Sequence, residues 1–317
     1  MTTTAKTLRI GTRASLLART QSGQVADMIA ERLGVRVELV DVTTEGDTSR
    51  APLHTLGGTG VFVSALRDAL LDGTVDVAVH SLKDIPTAPA EGIELAAVPP
   101  REDPRDVLVA RDGLTLGELP AGSVVATGSP RRASQLNALG LGLEVVGLRG
   151  NIDTRLAKVT DCHADGVILA RAGLARIGRL GLVTESIDPL QMLPAPGQGA
   201  LAIECRSNDP ELAAQLREHL DDPWTRAAVT AERAVLRTLE AGCSAPVGAL
   251  AEVVDDEDGP EVWLRAVALA HDGSVSIRRS ANGPFAEAEE VGTRLAAGML
   301  EEGAAELIDP PGRRQQA

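Results

Sequence analysis

Aromatic residues are nearly missing from this chain of 317 residues, which has two Phe, two Trp and no Tyr. Stacking of nucleobases on aromatic platforms is therefore disfavoured, and the core has to be built from Leu, Val, Ile and Ala. No apolar run approaches the roughly 18 residues of a membrane-spanning helix. The cysteines Cys162, Cys205 and Cys243 are too few for a disulfide framework and lack metal-ligand spacing, so no metal is expected. The opening MTTTAKTLRIGTRAS has no apolar signal core, and a reducing cytoplasm is the expected compartment. Excess positive charge is missing too. A net charge of −14 disfavours nucleic acid or an anionic membrane as partner.

What is present is a globular composition, 44% apolar and 24% charged, with a length that suggests two or three domains. Lysine is scarce, confined to Lys6, Lys83 and Lys158, so arginine supplies 28 of the 31 basic residues. The planar guanidinium fork suits carboxylates and phosphates, although a general bias toward arginine would give the same count.

Hydrophobic periodicity divides the chain. LRIG (8–11), VRVELVDV (35–42), VDVAVHS (75–81), DVLVA (106–110), SVVATG (123–128), LEVVGL (143–148), GVILA (166–170) and LAIEC (201–205) read as strands. Helices are expected from about Ser15 to Leu33, over 61–73, from Pro130 to about Leu139, after Asn151, over 174–180 and over 210–220. Gly34 is placed as a helix stop and Ser15, Ser129 and Asn151 as N-caps. The alternation indicates parallel or mixed sheets covered by helices. From about 223 the pattern changes to a long helix, three strands (247–254, 262–270 and 275–281) joined as hairpins, and a last helix over 285–303. Proline-bearing joints at 99–104 and 193–197 are candidate hinges between two α/β lobes.

The arginines fall where such a fold builds ligand sites. Arg13 follows the first strand, Arg131 and Arg132 follow SVVATG, Arg149 and Arg155 follow LEVVGL, and Arg171 and Arg176 follow GVILA. Strand-to-helix junctions line the crevice of open α/β sheets, and helix N-termini add free N–H groups. A polyanionic ligand is expected, unless these arginines only solvate the surface. Lys83–Asp84, in HSLKDIPT after a strand, is either an ordinary turn pair or a carboxylate held ionised by cations. In the latter case it could stabilise a developing positive charge or relay a proton. His80, at that strand's end, fits a structural hydrogen-bonder. Cys243, in LEAGCSAPVGA after a helix expected to stop at Gly242, faces the negative helix end, which raises a thiol pKa. A packed free cysteine and a permanent covalent anchor both fit. APGQGALAIE (195–204) is a glycine turn that allows close backbone approach, or a domain crossover.

Taken together, RIGTRAS, PLHTLGGTGVF, DVAVHSLKDIP, REDPRD, ATGSPRR, LRGNIDTRL, ILARAGLARIG, LPAPGQGALAIEC and TAERAVLRTLEAGCSAPVGA resemble the porphobilinogen deaminase (hydroxymethylbilane synthase) family. The resemblance implies an α/β fold of two lobes like type II periplasmic binding proteins, plus a C-terminal α+β domain with a three-stranded antiparallel sheet. The implied domains are 1–99 with 200–217, 100–199 and 218–317. It implies a transferase that joins four porphobilinogen molecules head to tail, with release of ammonia, on a dipyrromethane cofactor held by a thioether to Cys243. Hydrolysis then frees hydroxymethylbilane. Asp84 matches the catalytic acid. Lys83, Ser81, Ser129, Arg131 and Arg132 match cofactor-binding positions, and Arg13, Ser15, Arg149, Arg155, Arg176 and Gln198 match substrate-binding ones. The resemblance further implies a monomer that could hand its product to uroporphyrinogen-III synthase. His54, Thr55 and Thr59 stand where bacterial members often carry lysines, and Pro130 stands where a Leu is frequent. The alternative is a non-catalytic two-lobed protein that binds a small polyanion, or the sensing half of a transcription regulator. The latter needs a basic helix-turn-helix, and none is evident.

Overall fold

In the computed structural model, residues 7–43, 60–242, 245–257 and 259–309 are described. Cys243, and with it His54, Thr55 and Thr59, lies outside the described residues. The chain opens with β1 (Thr7–Thr12) and α1 (Leu16–Leu33). Ser15 caps that helix, its hydroxyl accepting from the Ala18 N–H at 3.4 Å. Gly34 closes it at φ 68°, its N–H donating to the Ala30 carbonyl. β2 (Arg36–Asp41), α2 (Gly60–Leu71), β3 (Val77–Ser81) and β4 (Ile93–Ala97) follow. The IELAA strand β4 was not evident from periodicity.

The second run is β5 (Asp106–Ala110), β6 (Val124–Thr127), α3 (Pro130–Ala138), β7 (Glu144–Gly147), α4 (Ile152–Thr160), β8 (Gly166–Ala170), α5 (Arg171–Arg176) and the two-residue β9 (Glu185–Ser186). Ser129 and Asn151 cap α3 and α4, accepting from the backbone N–H groups of Arg132 and Thr154, and Pro130 occupies the first helical turn. Among the described residues these strands form a sheet of order β7-β6-β8-β5-β9, parallel across β7, β6 and β8, with β5 antiparallel to β8.

β10 (Leu201–Arg206) then completes the first sheet, of order β2-β1-β3-β10-β4, running antiparallel to both β3 and β4. α6 (Pro210–Leu220) packs Leu212 and Leu216 with Val25 and Ile29 of α1 against Ile10, Val77 and Ile203. Leu66 and Leu70 of α2 cover Ala78 on the other face. α7 (Pro223–Thr238), β11 (Val247–Asp256), β12 (Gly259–Leu269), β13 (Ser276–Pro284), α8 (Ala288–Glu301) and α9 (Ala304–Ile308) complete the chain. The last three strands form an antiparallel sheet whose inner residues Ala249, Val262, Leu264 and Ala266 meet Ala231 and Val235 of α7 and Val291 and Leu295 of α8.

Contacts divide the chain into two units, Met1–Glu102 with Ala200–Arg226, and Asp103–Gly199 with Ala227–Ala317. The first crossover falls within the expected joint at 99–104, and the second falls just beyond the expected 193–197.

Three helix boundaries differ from expectation. The helix expected over 174–180 begins directly after β8 at Arg171 and stops at Arg176, because Gly178 takes φ 69°. The helix expected over 223–240 ends at Thr238, ahead of the expected stop at Gly242. Glu240, at φ 50°, makes the left-handed turn expected of the glycine. The last helix is broken at Gly303, φ 92°, into α8 and α9, after a 3₁₀ turn at Phe285–Glu287.

Candidate functional site

In the first unit, β3 runs out at Ser81 into a 3₁₀ turn, Leu82–Asp84. Leu82 and Ile85 are buried on either side of Lys83 and Asp84. The Leu82 N–H donates to the Ala200 carbonyl at 3.0 Å, and the Ile85 N–H to the Leu82 carbonyl at 3.1 Å. The intervening Lys83 and Asp84 are half-buried between these two apolar anchors. Asp84 has no side-chain hydrogen bond or ion pair among the described residues. Ser81 is held from α1, its hydroxyl accepting from Gln21 Nε2 at 3.0 Å. Arg13 and Ser15, at the β1–α1 junction, are half-buried, and Ser15 is engaged as the cap.

Behind this turn lies a buried charge layer. Glu204 of β10 accepts both Nε and Nη2 of Arg67 on α2, at 2.9 and 2.6 Å. His80 Nε2 lies 3.3 Å from the same carboxylate. Burial pushes the Glu204 carboxyl up, but the hydrogen-bonded Arg67 guanidinium and the adjacent His80 outweigh it and hold it at about 2. His80 is thus a buried structural partner, as its strand-end position suggested.

In the second unit, Arg131 and Arg132 at the start of α3 are 3% and 5% exposed. Both meet Asp106, the first residue of β5, which is fully buried. Its Oδ1 accepts from Arg132 Nε at 3.0 Å and Nη2 at 2.7 Å, and from Gln198 Nε2 at 2.7 Å. Its Oδ2 is 2.8 Å from Arg131 Nη1. Burial alone would raise this carboxyl, but the two guanidiniums hold it well below the usual carboxylate range. Arg131 also donates to the Leu193 carbonyl, and Arg132 Nη1 to that of Ile168 at 3.0 Å. Gln198 sits between Gly197, φ 76°, and Gly199, φ 89°. Only residues free to take left-handed conformations let the loop double back and send this side chain inward. Arg176 Nη2 donates to the Gly199 carbonyl at 2.7 Å, so it closes on the same loop.

The remaining arginines of this unit are less enclosed. Arg155 donates through Nε to the Gly150 carbonyl at 2.8 Å. Arg149 is exposed, with no hydrogen bond or ion pair among the described residues. Arg171 pairs with Asp103 at 3.4 Å.

The structure therefore gathers Arg131, Arg132, Gln198, Arg176 and the Ser129 cap around one loop and one helix start. It keeps Arg13, Ser15, Ser81, Lys83 and Asp84 on the first sheet. Sequence reasoning missed Asp106, Gln21 and Glu204. For Glu204 the available signal was a lone acid between Ile203 and Cys205 in LAIEC, whereas Asp106 beside Arg105 and Gln21 between Thr20 and Ser22 carried none.

The other two cysteines are free: Cys162 is exposed and Cys205 is buried in β10, where burial pushes its thiol up to about 11. Among the described residues no cluster of His, Cys, Asp and Glu could hold a metal ion, and no helix is long and apolar enough to cross a membrane.

Comparison with solved structures gives partial matches. An ancestral cationic amino acid solute binding protein, AncCDT-1, matches at 20% identity and TM-score 0.43, over 67% of this chain and 87% of that one. A periplasmic substrate-binding protein of an ABC transporter from Coxiella burnetii matches at 16% and 0.43, over 69% and 94%.

Sequence similarity is far closer. Residues 8–214 match the family model "Porphobilinogen deaminase, dipyromethane cofactor binding domain", and residues 226–301 match "Porphobilinogen deaminase, C-terminal domain". The porphobilinogen deaminase of Nocardia farcinica is 59% identical over 310 residues, covering 96% of this chain and 89% of that protein. The one from Mycobacterium tuberculosis is 60% identical over 306 residues, covering 95% and 98%. The chain belongs to the porphobilinogen deaminase family.

Proposed function

We infer that this chain joins four porphobilinogen molecules head to tail on a dipyrromethane cofactor, releasing ammonia at each addition and, after hydrolysis, hydroxymethylbilane. The observation that carries this function is the match of both family models over 8–214 and 226–301, with relatives about 60% identical along nearly the whole chain. The dipyrromethane, when bound, supplies the pyrrole carbon from which the product grows, and Cys243 is its thioether anchor.

The side chains of the second unit suit a carboxylate-bearing group. Two buried guanidiniums share a single carboxylate, and the buried Arg131 Nε has no hydrogen-bond partner among the described residues. Each pyrrole carries an acetate and a propionate, so every addition brings two more negative charges. Enclosing them requires matched cations, because an unpaired buried charge costs several kcal/mol. Arg131 and Arg132, with Ser129, Ser81 and Lys83, hold the cofactor's carboxylates. Arg13, Arg149, Arg155 and Arg176, with Ser15 and Gln198, take those of the substrate and the growing chain.

Asp84 does the electrostatic work. Its carboxylate accepts a hydrogen bond from the pyrrole N–H and stabilises the positive charge that develops as the amine leaves. The anchors Leu82 and Ile85 keep it in place, so little reorganisation is needed when that charge appears. Organisation as domains 1–99 with 200–217, 100–199 and 218–317 is supported by three sheets, each with its own core residues. A cytoplasmic monomer that hands its product to uroporphyrinogen-III synthase completes the proposal.

The purified chain should release ammonia from porphobilinogen and form hydroxymethylbilane. Its intact mass should exceed that of the polypeptide by two pyrrole units. Cys243→Ser should have the bare mass and no activity. A wild-type chain of bare mass that binds porphobilinogen without turnover would instead mark a polyanion-binding protein.

A further inference from the structure

We propose that Asp106 is the positioning residue for the arginine pair at the start of α3, holding Arg131 and Arg132 so that their idle donors meet one ligand carboxylate. This deepens the function proposed above and rests on it.

Asp106 opens β5 at a fully buried position. Its Oδ1 takes three donors, two from Arg132 and one from Gln198, and its Oδ2 faces Arg131 at 2.8 Å. Arg132 is thereby gripped through all three of its nitrogens, and Arg131 through Nη1, which its two acceptors share. Arg131 is held by Asp106 and the Leu193 carbonyl, and Arg132 by Asp106 and the Ile168 carbonyl. A long side chain held at one end swings, whereas one held by two acceptors presents its remaining N–H groups in a fixed direction. That fixed geometry is the requirement for strong carboxylate recognition.

Two independent features show that the cluster awaits a further acceptor. First, two cations face one anion, and among the described residues neither arginine has another ionic partner. The buried cluster is therefore one negative charge short of neutral. Second, Arg131 Nε is buried without a hydrogen-bond partner, a rare condition for a donor in a folded protein. A single carboxylate, such as an acetate or propionate arm of a pyrrole, would meet both needs. Gln198 bonds the same Oδ1 and also the Pro104 carbonyl at 2.8 Å, so the glycine loop is tied to the same anchor.

The test uses the full chain and two variants, Asp106→Asn and Asp106→Glu. D106N keeps the outline of the side chain and removes its charge. D106E keeps the charge and displaces it by one methylene. For each, circular dichroism and thermal melting report folding, intact mass reports the fraction carrying dipyrromethane, and steady-state kinetics report kcat and KM for porphobilinogen. In folded D106N the cofactor-bearing fraction should fall about tenfold, or KM for the molecules that retain it should rise about tenfold, with kcat less affected. D106E should raise KM about threefold to tenfold, and it decides the matter should D106N fail to fold. A merely structural residue would lower the melting temperature and leave folded molecules with full cofactor and wild-type KM. That outcome in either variant overturns the proposal. The wild-type chain, assayed in parallel, separates the two levels. If it lacks the added mass and makes no product, the proposed function fails. If it has both and the variants match it, only the role of Asp106 fails.

Discussion

Asp84 and Asp106 both sit at strand ends, one three residues past β3 and the other at the first position of β5. Their surroundings are opposite. Asp106 is fully buried, with three donors on one oxygen and a guanidinium against the other. Asp84 is half-buried and has no side-chain partner among the described residues. A carboxylate already paired with two fixed cations answers weakly to a further charge that appears during a reaction. One that is rigidly placed by its backbone but unsaturated answers strongly. The first unit thus keeps an available anion on a pinned turn, and the second keeps its anion committed so that cations are available.

The sharpest way to break this contrast is Asp84→Asn. It should lower kcat about 100- to 1000-fold, the usual cost of losing a group that stabilises transition-state charge. Melting temperature should barely change, because no folded-state partner is removed. Near-normal turnover in a stopped ammonia-release assay would dissolve the distinction between the two aspartates.

Next in size is Glu204→Gln, which probes the charge layer behind the Asp84 turn. The folded carboxyl titrates at about 2, below its ordinary 4.5. Stability from this group is therefore complete above pH 4.5 and is lost as pH falls toward 2. The gap is worth about 3 kcal/mol. Denaturant unfolding of the wild type across that window should lose about that much more stability than E204Q does. Equal acid sensitivity would mean that the Arg67–Glu204–His80 layer is not what stabilises the first unit.

Smallest is Arg149→Leu. Because Arg149 is exposed and without a partner among the described residues, stability should stay within about 0.5 kcal/mol. KM for porphobilinogen should rise about tenfold, worth about 1.4 kcal/mol. Unchanged kinetics would assign this arginine to surface solvation and leave ligand carboxylates to the enclosed pair.

Much of the fold was legible because its signals are local. A cap needs only a side-chain oxygen and an N–H three residues on, so Ser15, Ser129 and Asn151 could be placed from sequence. The arginines at strand-to-helix junctions were equally visible. Which of them are buried was not. Asp106 reads as an ordinary strand boundary, and its partners Arg132 and Gln198 lie 26 and 92 positions further along. Glu204, in LAIEC, looks like the solvent face of a half-buried strand. It is enclosed because helices cover both faces of that sheet, and it is tolerable there because Arg67, 137 positions earlier, reaches it. β4 was missed because it is a short strand recognised by its pairing with β10, a partner from the far side of the second sheet's sequence. The helix ends at Arg176 and Thr238 turned on left-handed residues, Gly178 and Glu240, and the second of these is not a residue type that announces such a turn.

By itself, the sequence determined the alternation of strands and helices, the caps, the wealth of arginine at the junctions and the motifs that carry family membership. All of these follow from near neighbours and residue type. The tertiary structure decided which charges meet: Asp106 with Arg131 and Arg132, Glu204 with Arg67 and His80, and Asp84 with no side-chain partner among the described residues. Pairing of buried charge depends on what distant strands bring within about 3 Å, and no local pattern encodes that distance.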